Sequence, residues 1–91
     1  MRIAAIVAAL LAKGFILENR DHKYLFFHVR GKKTGVFTFI SHGERDADDW
    51  LLARIARQLR LTKKELLALI ECSLSQDEYL RLLVERGHVH E

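Results

Sequence analysis

Apolar positions at the start of the chain recur at helical spacing. Ile3, Ile6, Val7, Leu10 and Leu11 repeat every three or four residues with alanines between them, which predicts a helix over residues 2–13. Lys13-Gly14 supplies its stop, a cation near the C-terminal end followed by a glycine free to take a left-handed cap. The period then shortens to two. Phe15-Ile16-Leu17 opens a strand, and the polar residues 18–22 turn the chain. Residues 24–30 alternate, with Leu25, Phe27 and Val29 on one face and Tyr24, Phe26, His28 and Arg30 on the other. The purely apolar face is expected to meet helices and the mixed face to be open. Residues 34–40 form a third strand, apolar on both faces, whose register depends on the turn. A two-residue Gly31-Lys32 turn of type II′ pairs Arg30 with Lys33 and sets Phe37 and Phe39 beside Tyr24. A three-residue loop sends both rings into the core.

The second half is helical. Asp46 or Asp48 caps a helix running to about Leu59, with Trp50, Leu51, Ile55 and Leu59 inward. Trp50 is read as a core residue between helix and sheet. Thr62-Lys63-Lys64-Glu65 is a capping box opening a helix to about Glu71. Ser75-Gln76-Asp77-Glu78 is a second, opening a last helix that stops near Arg86-Gly87. Residues 88–91 are expected to fray. The order is helix, three strands, then two or three helices. The expected fold is α+β: a three-stranded antiparallel meander with helices on one face, forming one domain over residues 1–91 with 72–91 as a C-terminal helical extension.

Composition narrows the partners. The chain has 91 residues and a net charge of +3, a mild bias toward polyanions. The charge is clustered. Residues 13–33 hold six basic side chains against Glu18 and Asp21, and residues 54–64 hold five against no acid. The single cysteine, Cys72, makes neither an intrachain disulfide nor a thiolate metal site, so a reducing cytoplasm is the expected compartment. The apolar start is too short to read as a signal peptide, and no stretch is long enough to span a membrane. The glycines form no phosphate loop. Residues 42–46 match no strong metal-ligand spacing, so neither a metal nor a cofactor is expected.

The candidate chemistry lies at one end of the meander, where the turn after the first strand meets the end of the third. His22 sits at that turn and His42 just past the third strand. Depending on register, His22 lies opposite Ser41 or His42, and directly opposite residues have Cβ atoms about 4.5–5.5 Å apart. A neutral and a protonated imidazole can coexist near neutral pH. Metal-free RNA cleavage uses such a pair, one to take the 2′-hydroxyl proton and one to protonate the departing 5′ oxygen. Arg20, Lys23 and Arg45 flank this end as candidate phosphate contacts, with Tyr24 beside them as an RNA-binding ring. The bland alternative is that both histidines are polar strand ends.

Over residues 3–67 the chain resembles the HicA family of messenger-RNA-cleaving toxins. The leading helix ends in Gly14-Phe15, as is common there. The family's histidine follows a Gly-Ser pair at the start of the second strand, and His22 occupies that place. The aromatic positions that follow resemble Tyr24 and Phe26, and Ile40-Ser41-His42 is similar to the family's third-strand ending, without its proline. Residues 55–66 read Ile-Ala-Arg-Gln-Leu-Arg-Leu-Thr-Lys-Lys-Glu-Leu, similar to the family's closing Ile-Leu-Lys-Gln-Ala-Gly-Leu-Ser-x-Glu-Glu-Phe. The resemblance implies a double-stranded-RNA-binding-like α-β-β-β-α core, His22 as the catalytic residue, RNA as substrate and a HicB-like antitoxin as partner. Arg20-Asp21 stands where the family has Gly-Ser. Asp21 either orients His22 or repels the substrate.

Two other functions fit parts of the sequence. Residues 47–71 read like a helix-turn-helix, with Arg54, Arg57, Lys63 and Lys64 toward DNA phosphates and Arg60 in the usual place of the turn glycine. Alternatively, Tyr24, Phe26, Phe37 and Phe39 gathered in solvent would make a non-catalytic interaction face, covered by an antitoxin or by a second copy in a homodimer.

Overall fold

A computed structural model describes residues 1–90. Helix α1 (Ile3–Ala12) leads into strands β1 (Phe15–Asn19), β2 (Lys23–Val29) and β3 (Lys32–Ile40). Helices α2 (Asp49–Gln58), α3 (Lys63–Ile70) and α4 (Gln76–Glu85) follow. The strands form an antiparallel meander in the order β1-β2-β3. Alternation along each strand sends Phe15, Leu25, Phe27, Val36 and Ile40 to one face, where all five are buried. Ile3, Ile6 and Leu10 of α1 and Leu51, Leu52, Ile55 and Ala56 of α2 close over that face. Thr38 is the polar residue among them, and its hydroxyl donates to Gln58 Oε1 at 2.6 Å, which satisfies a group that burial would otherwise penalise.

The hairpin differs from expectation in its turn. The central residues are Arg30 and Gly31, both with positive φ (51° and 77°), the backbone signature of a type I′ turn. Next to it, β3 bulges. Between the pairs His28↔Lys33 and Phe26↔Phe37 the chain advances two residues on β2 and four on β3. The Thr34 hydroxyl stabilises the bulge by donating to the Phe27 carbonyl (2.7 Å) and accepting from the Val36 amide (3.2 Å). Because the excess is two residues, the side-chain alternation survives. Tyr24 pairs with Phe39 and Phe26 with Phe37, so the rings share a face although the turn lies elsewhere.

Both capping boxes form, at Thr62 with Glu65 and at Ser75 with Glu78, and Asp48 caps α2 by accepting from Leu51 N–H. Trp50 corrects the expectation for α2: it is 73% exposed. At about 100° per residue it lies opposite the middle of the Leu51, Leu52, Ile55, Ala56 and Leu59 stripe. Within the stretch expected to fray, Val89 is buried, and residue 91 lies outside the described residues. Helix α4 belongs to the same core. Tyr79 packs against Phe15 (5.9 Å) and Phe27 (5.0 Å), and its hydroxyl donates to the Leu59 carbonyl. Lys13 anchors the preceding loop, its ammonium donating to the Leu74 carbonyl. Among the described residues no helix is long and apolar enough to cross a membrane.

Candidate functional site

With the helices on one side, the other face of the sheet carries Ile16 and Glu18 of β1, Tyr24, Phe26 and His28 of β2, and Phe37 and Phe39 of β3. Ile16 is 49% exposed and Phe37 36%. Four aromatic rings meet there. Phe26 and Phe37 stack at 4.9 Å between centroids, Tyr24 lies 5.9 Å from Phe39, and Tyr24 lies 6.2 Å from both Phe26 and Phe37. Such cross-strand ring pairs hold a sheet together, and here they also make an apolar platform bordered by cations.

His22 extends the platform. Its imidazole stacks on Phe39 at 5.4 Å with an interplanar angle of 25°. Its Nδ1 is occluded and has no hydrogen-bond partner. On the other side of the strand, Arg54 of α2 reaches round the β3 edge. Its guanidinium lies 4.6 Å from the Phe39 ring and donates to the Phe39 carbonyl at 2.7 Å, while its Nε is occluded and unpartnered. Beside β1, Arg20 lies over Tyr24 (5.2 Å), and Lys33 reaches from β3 over Phe26 (4.1 Å), the geometry of cation–π attraction. Glu18 pairs with both cations. Hydrogen bonds from Lys33 and then Arg20 hold its carboxyl below the usual glutamate range.

The candidate residues fall into two groups. His22, Arg20 and Tyr24 belong to the open face. Lys23 follows His22 by one residue and therefore sits on the opposite face of β2 from Tyr24. Lys23, His42 and Arg45 line a separate cleft with Arg2, Glu44 and Asp46, at the start of α1. The two groups meet through one backbone unit. Arg20 N–H donates to the His22 carbonyl at 3.0 Å, and the Arg20 carbonyl accepts from His42 Nε2 at 2.9 Å. Both histidines therefore lie at one end of the sheet, with His22 stacked on Phe39 and His42 in the second cleft. His28 of β2 donates from Nδ1 to the Phe26 carbonyl at 3.0 Å.

The cation row along the β3 edge goes beyond the sequence-derived site. Arg57 and Arg60 line a cleft with Gly35, Phe37 and Gln58, in series with Arg54. Its sequence signal is the three-residue spacing of these arginines inside a segment without acids. Of the cations that a helix-turn-helix would direct to DNA, Arg54 is held on Phe39 and Lys63 pairs with Asp49. Among the described residues, no group of three or more His, Cys, Asp and Glu side chains is arranged to hold a metal ion.

No family model, curated protein or solved structure matches this chain.

Proposed function

We propose that the protein is an RNA-binding, metal-independent endoribonuclease of the toxin type, acting from the open face of its sheet. The observation that carries this reading is His22: an imidazole stacked on Phe39, beside an aromatic platform bordered by Arg20 and Arg54. In the proposed reaction His22 takes the proton of a ribose 2′-hydroxyl. The 2′ oxygen bonds to the adjacent phosphorus, the bond to the 5′ oxygen breaks, and the departing oxygen gains a proton. The products are a 2′,3′-cyclic phosphate and a free 5′-hydroxyl. Arg20 and Arg54 offset the charge that builds on the phosphate oxygens. His42 is the proposed acid, joined to His22 through the Arg20 backbone. Lys23 and Arg45 are proposed to hold the phosphate chain where it rounds that turn. The protein is proposed to work in the cytoplasm, restrained by a HicB-like antitoxin seated on the aromatic face.

Replacing His22 with alanine is expected to lower the RNA cleavage rate at least about 100-fold, the lower end of a general acid–base contribution. The platform rings and the fold should remain, as judged by circular dichroism. His42→Ala should cost less. Cleavage should persist in EDTA and leave cyclic-phosphate ends detectable by mass spectrometry. Wild-type cleavage by His22→Ala removes His22 from the mechanism, and loss of activity in EDTA removes the metal-free route.

A second reading is a non-catalytic interaction module. One observation favours it: His42 lines a different cleft from the face that carries His22. On this reading His22→Ala changes neither RNA nor growth, and the aromatic face serves a protein partner.

A further inference from the structure

The open face has a polarity that the proposed chemistry does not use. Around Glu18 both cations are already engaged, since its carboxylate pairs with Arg20 and with Lys33, which reaches across from β3. On the β3 side three arginines of α2 and its C-terminal turn follow one another. Among the described residues none of Arg54, Arg57 and Arg60 is in an ion pair with a carboxylate. The cleft shared by Arg57 and Arg60 has the exposed Phe37 ring as another wall. Gly35 leaves its floor open, because a Cβ built there would meet nothing within 4 Å. A cleft lined by an exposed phenylalanine and two arginines suits a ligand with a flat apolar part and an anionic part.

We infer that this face binds single-stranded RNA, with an unpaired base on the exposed Phe37 ring and phosphates along Arg57 and Arg60. The inference rests on the proposal that the ligand is RNA, and adds which form of RNA and which way it lies. Unpaired bases expose the faces that aromatic side chains stack on, whereas a duplex keeps its bases stacked on one another. Phe39, two residues or about 6.7 Å further along β3, already carries His22 and Arg54 on its ring, which leaves Phe37 as the ring open to a base. The phosphate chain then runs outside the β3 edge, where the cations carry no carboxylate partner. His22, stacked on Phe39, would meet the ribose of the neighbouring nucleotide.

The test is binding of a short fluorescent oligonucleotide carrying 2′-O-methyl groups, so that no cleavage can occur. The full chain is compared with Phe37→Ala and Arg57→Ala, and a hairpin duplex of equal charge serves as competitor. The single strand should bind more tightly than the duplex. Phe37→Ala should weaken binding at least about fivefold, the lower end of a base–aromatic stack. Arg57→Ala should reduce the slope of log affinity against log salt by about 0.7, as expected for one lost phosphate contact on a single strand. Both side chains lie on the surface, and thermal melting reports whether either variant has lost its fold. A single strand bound in this way by a protein that does not cleave RNA sustains the inference and removes the nuclease reading. Cleavage that depends on His22 but is unaffected by Phe37→Ala does the reverse. Tighter duplex binding overturns the inference, as does self-association through Phe37 in sedimentation with no RNA bound.

Discussion

At the scale of single residues, position on the alternating strand decides what each side chain can do. His22 and Lys23 are neighbours in sequence and belong to opposite faces, so a site read from adjacent letters divides when the strand forms. Trp50 illustrates the same limit on a helix. Hydrophobicity alone sends it inward, but Leu51, Leu52, Ile55 and Ala56 already occupy the inward arc. Its indole is predicted to fluoresce as a solvent-exposed group open to quenching by acrylamide, and Trp50→Ala should change stability by no more than about 0.5 kcal/mol. Glu65 gives the acid response. Hydrogen bonds from Arg86 and then from the Thr62 backbone lower its carboxyl to about 2. A depressed carboxyl contributes stability that is fully present above its ordinary value of 4.5 and is lost as the pH falls toward 2. The pair is partly exposed, so its contribution is below about 1 kcal/mol. Urea midpoints measured across that pH window should fall less steeply for Glu65→Gln than for the native chain.

At the scale of elements, helix starts and stops were both legible, but the backbone that makes two of the stops was not. Thr62 with Glu65 and Ser75 with Glu78 announce their helices because a capping box is a local pattern of side chains. Helices α2, α3 and α4 all end in the same double hydrogen bond. Leu61, Ser73 and His88 donate back to Ala56, Ala68 and Leu83, while Arg60, Cys72 and Gly87 donate to Arg57, Leu69 and Val84. This is the Schellman arrangement, which needs a left-handed residue. Gly87 meets that need at no steric cost, but Arg60 (φ 65°) and Cys72 (φ 66°) adopt it with side chains attached. Cys72→Gly is therefore predicted to raise stability by up to about 1 kcal/mol, read as a higher melting temperature. The β2–β3 turn escaped the sequence for the same reason: Arg30 takes a left-handed conformation usually left to glycine or asparagine. The β2 faces came out as expected, and of the two registers open for β3 the structure takes the one that sets Phe37 and Phe39 beside Tyr24, because a two-residue bulge preserves alternation. Helix α4 looked like an extension and is part of the core. Tyr79→Phe would leave the Leu59 carbonyl without its donor, at a predicted cost of about 1–3 kcal/mol in chemical denaturation.

For the whole molecule, the helices and the open sheet face divide the labour of stability and recognition. Every helix contributes to one core beneath the sheet, and the aromatic face stands outside it. The net charge of +3 conveys little of this, because recognition depends on where the cations stand: Arg20 and Lys33 clasped by Glu18, Arg54 held on Phe39, and Arg57 and Arg60 lining the cleft beside Phe37. The arginine cluster was legible as a run of charge, but its place beside Phe37 depends on α2 packing along the β3 edge, which no local pattern encodes. The most direct measurement is an NMR map of backbone amide shifts on adding a 2′-O-methyl single-stranded oligonucleotide to the full chain. The account predicts changes concentrated at residues 20–26, 35–39 and 54–60, with α4 and the outer side of α1 undisturbed. Changes confined to the helical side, or none at saturating oligonucleotide, would contradict it.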